Sequence, residues 1–147
     1  MTSKNVALLP QGNSFEALLH AVAADLPRAI EAIRLGLPAT VIKDTSAYFN
    51  VSTSRIRAIV RLPETTAHTL VKRGANIDAA ASERIWRLAD LLTMASDVFE
   101  DEEAAKTWLR MPNRAFGDLA PMEYLDTEPG AMAVRQVLNA IGTGGTA

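Results

Sequence analysis

Cysteine is absent from the 147 residues, which excludes disulfide staples, thiolate zinc sites and cysteine nucleophiles. With two histidines in all, His20 and His68, a histidine-rich metal site is hard to build. No Gly-x-x-x-x-Gly-Lys-Ser loop is present to cradle a phosphate, so neither a metal nor a cofactor is expected. No run approaches the roughly eighteen apolar residues that a membrane helix needs. Near the start, Val6 to Leu9 are followed at once by Pro10, too short a stretch for a signal-peptide core, and a cytoplasmic location is expected. Aromatic residues make up 5%, and Ala, Leu, Ile and Val carry most of the apolar surface, a profile that favours helix-on-helix packing over sheet sandwiches. No internal repeat, low-complexity block or sustained two-residue alternation occurs.

What is present is enough to fold. Apolar residues reach 48%, and the length allows one sizeable core or two small ones. The net charge of −2 hides a strong asymmetry. Between Ser52 and Arg73 five basic residues face Glu64 alone, a local charge of +4, while between Asp97 and Glu128 nine acids face three bases, a local charge of −6. Such a split fits two different partners, or two solvated faces of one domain.

The periodicity predicts an all-α chain. Residues 1–12, with Pro10 and Gly12 and no period, read as a loose arm. Asn13 and Glu16 form a capping box for a helix carrying Leu18, Leu19, Val22 and Leu26. Pro27 suits the first turn of a second helix with Ile30, Ile33 and Leu35, stopped at Gly36. Pro38 is expected to begin a third helix, through Val41, Ile42 and Tyr48, ending near Asn50. Ser52 or Thr53 caps a fourth with Ile56, Ile59 and Val60. After the break at Leu62-Pro63-Glu64, Thr65 or Thr66 starts a fifth with Ala67, Leu70 and Val71, closed at Gly74. Short helix, tight break and short helix is the outline of a helix-turn-helix, expected here over residues 51–73. Asp78 caps a long helix to Phe99 whose Ala81, Ile85, Leu88, Leu92, Ala95 and Phe99 form a heptad-like seam, suited to self-association or to a spine between two halves. Asp101 caps a shorter helix with Ala104, Ala105, Trp108 and Leu109, ended by Pro112-Asn113. Pro121 to Leu125 make about one turn, and Thr127 caps a last helix with Ala131, Val134, Leu138 and Ile141. The acids Glu100 to Glu103 are what a helix dipole attracts to a first turn, and they lack the alternating ligands of a calcium loop. The expected division is an arm over 1–12, an N-terminal helical region over 13–76, and a linking helix with a second helical domain over 77–147.

From Ala95 the order Ala95-Ser96-Asp97-Val98-Phe99, Ala104-Ala105, Trp108-Leu109, Pro112-Asn113-Arg114-Ala115-Phe116-Gly117, Pro121 to Leu125, Thr127, Gly130, Val134 and Leu138 resembles the toxin-binding domain of the Xre/MbcA/ParS antitoxin family. The likeness spans roughly residues 81–142, with Ser82 to Ala89 similar to the family's linking helix and residues 51–73 in the place of its helix-turn-helix. Glu100 stands where a glycine is common after the Val-Phe pair, and Asp118 where a second glycine often follows Gly117.

The resemblance implies a non-enzymatic antitoxin that neutralises a RES-domain toxin, an enzyme that consumes NAD or uses it for ADP-ribosylation, by covering its NAD cleft. It also implies repression of the pair's own operon. On that basis Thr65, Thr66, His68, Thr69 and Lys72 are expected to read operator DNA, with Arg55, Arg57, Arg61 and Arg73 on its phosphates. Trp108, Pro112, Asn113, Arg114, Phe116 and Gly117, with Gly130, Val134 and Gly142 from the last helix, are expected to frame the toxin-docking face. The tail from Gly142 is thin enough to enter a cleft. A homodimer is expected because helix-turn-helix proteins usually read two half-sites, and larger assemblies with the toxin are compatible with it. The alternative is a stand-alone dimeric transcription regulator, which would not co-purify with a partner protein. A small enzyme is a third possibility, opposed by the missing cysteine and the isolated histidines.

Overall fold

The computed structural model describes residues 13–144, so the arm expected over residues 1–12 and the last three residues of the tail lie outside the described residues. Among the described residues there are α-helices, two short 3-10 turns and isolated bridges, but no strand. Most helices begin where a side chain satisfies a free backbone amide. Asn13 accepts from the Glu16 amide at 3.0 Å and opens α1, Ser14–Ala24. Asp25 caps α2, Leu26–Leu35, with Pro27 in its first turn. Gly36 stops it at φ +91°, where a Cβ would stand 2.3 Å from the Ile77 carbonyl oxygen. That close approach is what only glycine allows.

Pro38 does not open the third helix. It pairs with Asn76 in an isolated antiparallel bridge, supported by Ile77 N–H donating to the Leu37 carbonyl at 2.9 Å, and α3 begins later, at Val41–Phe49. Asn50 closes α3 in the left-handed conformation at φ 57°, and Ser52 caps α4, Thr53–Val60. Arg61 ends α4, again left-handed, and α5 spans Glu64–Lys72, starting just before the expected Thr65. Asp78 caps the long α6, Ala79–Phe99, and Asp101 caps α7, Glu102–Arg110. Two 3-10 turns come next, Arg114–Phe116 and Pro121–Tyr124, before Thr127 caps α8, Glu128–Gly142.

Helix α6 organises the rest. Its Ala81, Ile85, Leu88, Leu92 and Ala95 are buried, and so are Ala89 and Leu91 on the flanks of the seam. Helices α1, α2 and α4 pack against it from the N-terminal half, and α7 and α8 from the C-terminal half. The seam is therefore used within one chain and cannot serve as a dimer interface without unfolding it. One continuous hydrophobic cluster runs from Phe15 to Leu138 through this helix. At the corner leading into α8, Arg87 is only 5% exposed. Its guanidinium donates to the Leu125 carbonyl at 2.8 Å and to both Glu83 carboxylate oxygens at 2.7 Å, so the buried charge is paired where the chain turns.

Both family glycine positions that this sequence fills otherwise hold left-handed backbone: Glu100 at φ 54° and Asp118 at φ 65°. A side chain there is strained, by roughly 1 kcal/mol or more for residues other than glycine. Glu100→Gly and Asp118→Gly should each raise unfolding stability, by on the order of 0.5–1 kcal/mol in urea denaturation. Leu92→Ala should cost about 2–5 kcal/mol, with Trp fluorescence and helical circular dichroism lost in one coincident transition because both halves share the core.

Candidate functional site

Two surfaces stand out, one on each side of α6. On the N-terminal side the short helices α3 and α4 pack together, joined by Asn50, Val51 and Ser52. The Ser46 hydroxyl donates to the Val51 carbonyl across this turn, and Ile56, Ile59 and Val60 bury the inner face of α4. The pair expected from sequence, α4 and α5, is joined across Arg61, in left-handed backbone at φ 61°, and buried Leu62. Helix α5 has no fully buried residue and touches the core only through half-buried Ala67 and Leu70. Its outward residues are left to solvent, whereas the outward face of α4 lies beside the turn at Pro121–Tyr124.

Helical spacing puts Ser54 and Ala58 on the outward face of α4, both exposed, with Arg57 on one flank and Arg55 on the other. Arg57 donates to the Thr53 hydroxyl at 3.2 Å. It lines a groove of about 230 Å³ between α3, α4 and α5 with Lys43, Glu64 and His68, over a floor including Ile42 and Val71. Thr65, Thr66, His68, Thr69, Lys72 and Arg73 are all exposed, on α5 or at its end.

Arg55 is not free for phosphate. Its Nε and Nη2 donate to Glu123 Oε2 at 2.9 and 2.7 Å, and Nη2 also donates to the Arg110 carbonyl at 3.1 Å. Arg61 stands 3.7 Å from Asp126. Arg110 in turn reaches the Phe49 carbonyl at the end of α3, at 3.4 Å. Beside it the Tyr48 hydroxyl donates to Glu102, and Lys106 Nζ lies 3.8 Å above the Tyr48 ring. Burial, then the Glu102 carboxylate, hold this phenol protonated well beyond its usual range. The basic middle and the acidic third therefore partly neutralise each other through two of the nine acids, Glu123 and Asp126.

On the C-terminal side the loop after α7 folds back on itself. Asn113 N–H donates to the Leu119 carbonyl at 3.0 Å, and Asn113 Oδ1 accepts from Ala115 at 2.9 Å. Gly117 comes next at φ 64°. Phe116 is the keel beneath the loop, with its ring 6.0 Å from Trp108 and 5.0 Å from Tyr124, whose hydroxyl donates to the Phe116 carbonyl at 3.1 Å. Trp108, half-buried, continues this string to Phe99 at 5.7 Å.

Of the expected docking residues, Pro112, Arg114, Gly117 and Gly142 are exposed or nearly so and Asn113 is half-buried. Phe116 and Val134 are core residues, at 2% and 0% exposure, and shape the face only from beneath. Gly130 is needed for a different reason: a Cβ there would stand 1.8 Å from the Tyr124 carbonyl oxygen, so it lets α8 press against the turn before it. Met111 and Leu119, missed from sequence, are more than half exposed at the two ends of the loop. At the tail, Gly142, Thr143 and Gly144 are exposed.

A packed short-helix pair and a keeled loop on opposite sides of one long helix define a helix-turn-helix protein with a C-terminal helical recognition half. Comparison with known proteins is specific on both halves. Residues 28–90 match the antitoxin Xre-like helix-turn-helix domain, and residues 94–144 match the antitoxin Xre/MbcA/ParS C-terminal toxin-binding domain. The chain belongs to the Xre/MbcA/ParS antitoxin family. It is similar to "Antitoxin Xre" of Pseudomonas putida, 32% identical over 56% of this chain and 52% of that protein, so the match spans about half of that relative's length. It is 27% identical to "Antitoxin Xre" of Photorhabdus laumondii over 74% of each chain. It is also 27% identical to "Prs ADP-ribosylating antitoxin" of Sphingobium sp., over 89% of this chain and 86% of that protein. No helix among the described residues is long and apolar enough to cross a membrane.

Asn113→Ala would leave the Ala115 amide without its acceptor and loosen the loop. It should cost about 1 kcal/mol in chemical denaturation and speed amide exchange at Leu119 while leaving α4 unchanged.

Proposed function

We propose that this chain is the antitoxin and autorepressor of a toxin–antitoxin pair, acting by binding and without catalysis of its own. Its C-terminal half docks on a RES-domain toxin, one that consumes NAD or transfers ADP-ribose, and bars nucleotide from the cleft. The observation that carries this is the loop itself. Met111 and Leu119 hold apolar side chains in solvent at the ends of a segment braced by Asn113 and Phe116, inside the region matched to a toxin-binding domain. Exposed apolar groups on a rigid support are what a partner surface requires. The words "ADP-ribosylating" in the name of the Sphingobium relative support an NAD-linked toxin.

On the other side of α6, the helix-turn-helix α4–α5 holds the complex on its operator, with Thr65, Thr66, His68 and Thr69 of α5 facing base edges and Arg57, Lys72 and Arg73 serving phosphates. A two-fold pair reading two half-sites would form through a surface other than the α6 seam, and α2 offers exposed Leu26 and Ile30 one turn apart. Such a complex works in the cytoplasm, where operator and NAD are found.

Co-expression with the neighbouring reading frame tests the toxin arm. The wild-type chain should co-purify with that product and suppress its NAD loss, whereas Met111→Asp with Leu119→Asp should abolish both and retain DNA binding. A neighbour that is harmless alone, or that never binds, would leave only a transcription regulator. For the DNA arm, Arg57→Ala should weaken operator binding about tenfold and lower the salt slope by roughly 1, measured by fluorescence anisotropy.

A further inference from the structure

Arg55 reaches from α4 into the other half of the molecule and touches the chain on both sides of the docking loop. Ahead of the loop, its Nη2 donates at 3.1 Å to the carbonyl of Arg110, the last residue of α7 and the neighbour of Met111. Behind the loop, its Nε and Nη2 donate to Glu123 Oε2 at 2.9 and 2.7 Å, in the turn Pro121–Tyr124. One guanidinium thus ties the two ends of the loop to each other. The bonds inside the loop lie nearer its tip: Asn113 N–H donates to the Leu119 carbonyl at 3.0 Å, and Leu119 N–H to the Phe116 carbonyl at 3.1 Å. Tyr124, next to Glu123, donates its hydroxyl to that same Phe116 carbonyl at 3.1 Å. The grip on Glu123 is therefore one residue away from the support beneath Leu119. Past the turn, Arg84 and Arg87 of α6 donate to the Asp126 and Leu125 carbonyls at 3.0 and 2.8 Å, so the end leading to α8 has anchors of its own.

We propose that Arg55 is a positioning residue for toxin binding, bracketing the docking loop at its base and so setting where Met111 stands relative to Leu119. This rests on that loop being the docking face. Carbonyls in the last turn of a helix lack partners within it, and a cation there is favoured by the helix dipole. An arginine can serve such a carbonyl and a carboxylate together because its donors form a rigid planar fork, whereas a lysine ammonium is one point on a flexible stem. The Arg55–Glu123 pair is partly solvated, with side-chain exposures of 34% and 35%, so it adds little to global stability and acts on geometry. A recognition surface loses affinity when its support lets it drift by about an ångström. Partner recognition by the C-terminal half therefore draws on a residue of the N-terminal half, outside the residues 94–144 that match the toxin-binding domain.

The test uses the full chain and the purified product of the neighbouring reading frame, with binding kinetics and amide exchange measured on the same variants. Arg55→Gln should bind on the order of tenfold more weakly, mainly through faster dissociation, with an unfolding midpoint close to that of the wild type. Exchange should quicken at the Met111 and Leu119 amides while the amides of α6 stay protected. Arg55→Lys, which keeps the charge and loses the fork, should fall between the two. Ile85→Val trims the buried core away from the bracket and should bind like the wild type. Wild-type affinity in Arg55→Gln, with binding lost in Met111→Asp with Leu119→Asp, would overturn the proposal and leave the docking face standing. Full affinity in Arg55→Lys would also overturn it, because charge without the fork would then suffice. An equal loss in Ile85→Val would do the same, since general loosening would account for the effect. Binding that survives Met111→Asp with Leu119→Asp would remove the docking face itself, and this inference would fall with it.

Discussion

Everything in this fold is hung on the burial of one helix from both sides. The apolar stripe of α6 is too broad for a two-helix seam: Leu91 and Ala89 are as buried as Leu88 and Leu92, so neighbours must cover it around much of its circumference. Helices α1, α2 and α4 provide one wall, and α7 and α8 the other. Because each wall completes the core of the next, neither the helix-turn-helix nor the docking loop has a separate hydrophobic interior. The two recognition surfaces are thereby fixed at set positions on one body.

That fixed relation gives the charge asymmetry its physical sense. A basic middle and an acidic third would each repel a second copy of itself, yet within one chain they meet along the edge where α4 faces the turn at Pro121–Tyr124. Arg55 and Arg61 pair there with Glu123 and Asp126, and the Arg84 side chain donates to the Asp126 carbonyl at 3.0 Å. Partial neutralisation moderates the field that each surface shows to its own partner. A toxin and a stretch of DNA would each meet a surface whose charge depends on the other half being in place.

Backbone conformation accounts for much of the rest. Gly36, Gly117 and Gly130 are required by left-handed backbone or by a carbonyl pressed against the Cα, and each stands at a junction between elements. Glu100 and Asp118 occupy equivalent left-handed junctions with side chains attached, and so carry local strain that the surrounding packing sustains. The docking loop carries such strain in its second half, yet it is pinned at both ends by the Asn113–Leu119 pairing and underneath by Phe116.

Local chemistry alone determined the helices: Asn13, Ser52, Asp78, Asp101 and Thr127 each cap where their side chains suggested, since a cap is a contact over three residues or fewer and needs no tertiary partner. The family and the order of its two recognition regions were legible for the same reason, being carried by short runs such as Trp108-Leu109 and Pro112-Asn113. What periodicity cannot state is which face meets what. Two successive short-helix breaks, at Asn50 and at Arg61, look alike in sequence and both hold left-handed backbone, so the pattern alone does not say what each helix packs against. The same limit left open whether the α6 seam meets the chain's own halves or a second copy, and it hid the burial of Phe116 and Val134 and the capture of Arg55 by Glu123. Each depends on residues far apart in sequence being brought together, which a local pattern does not encode.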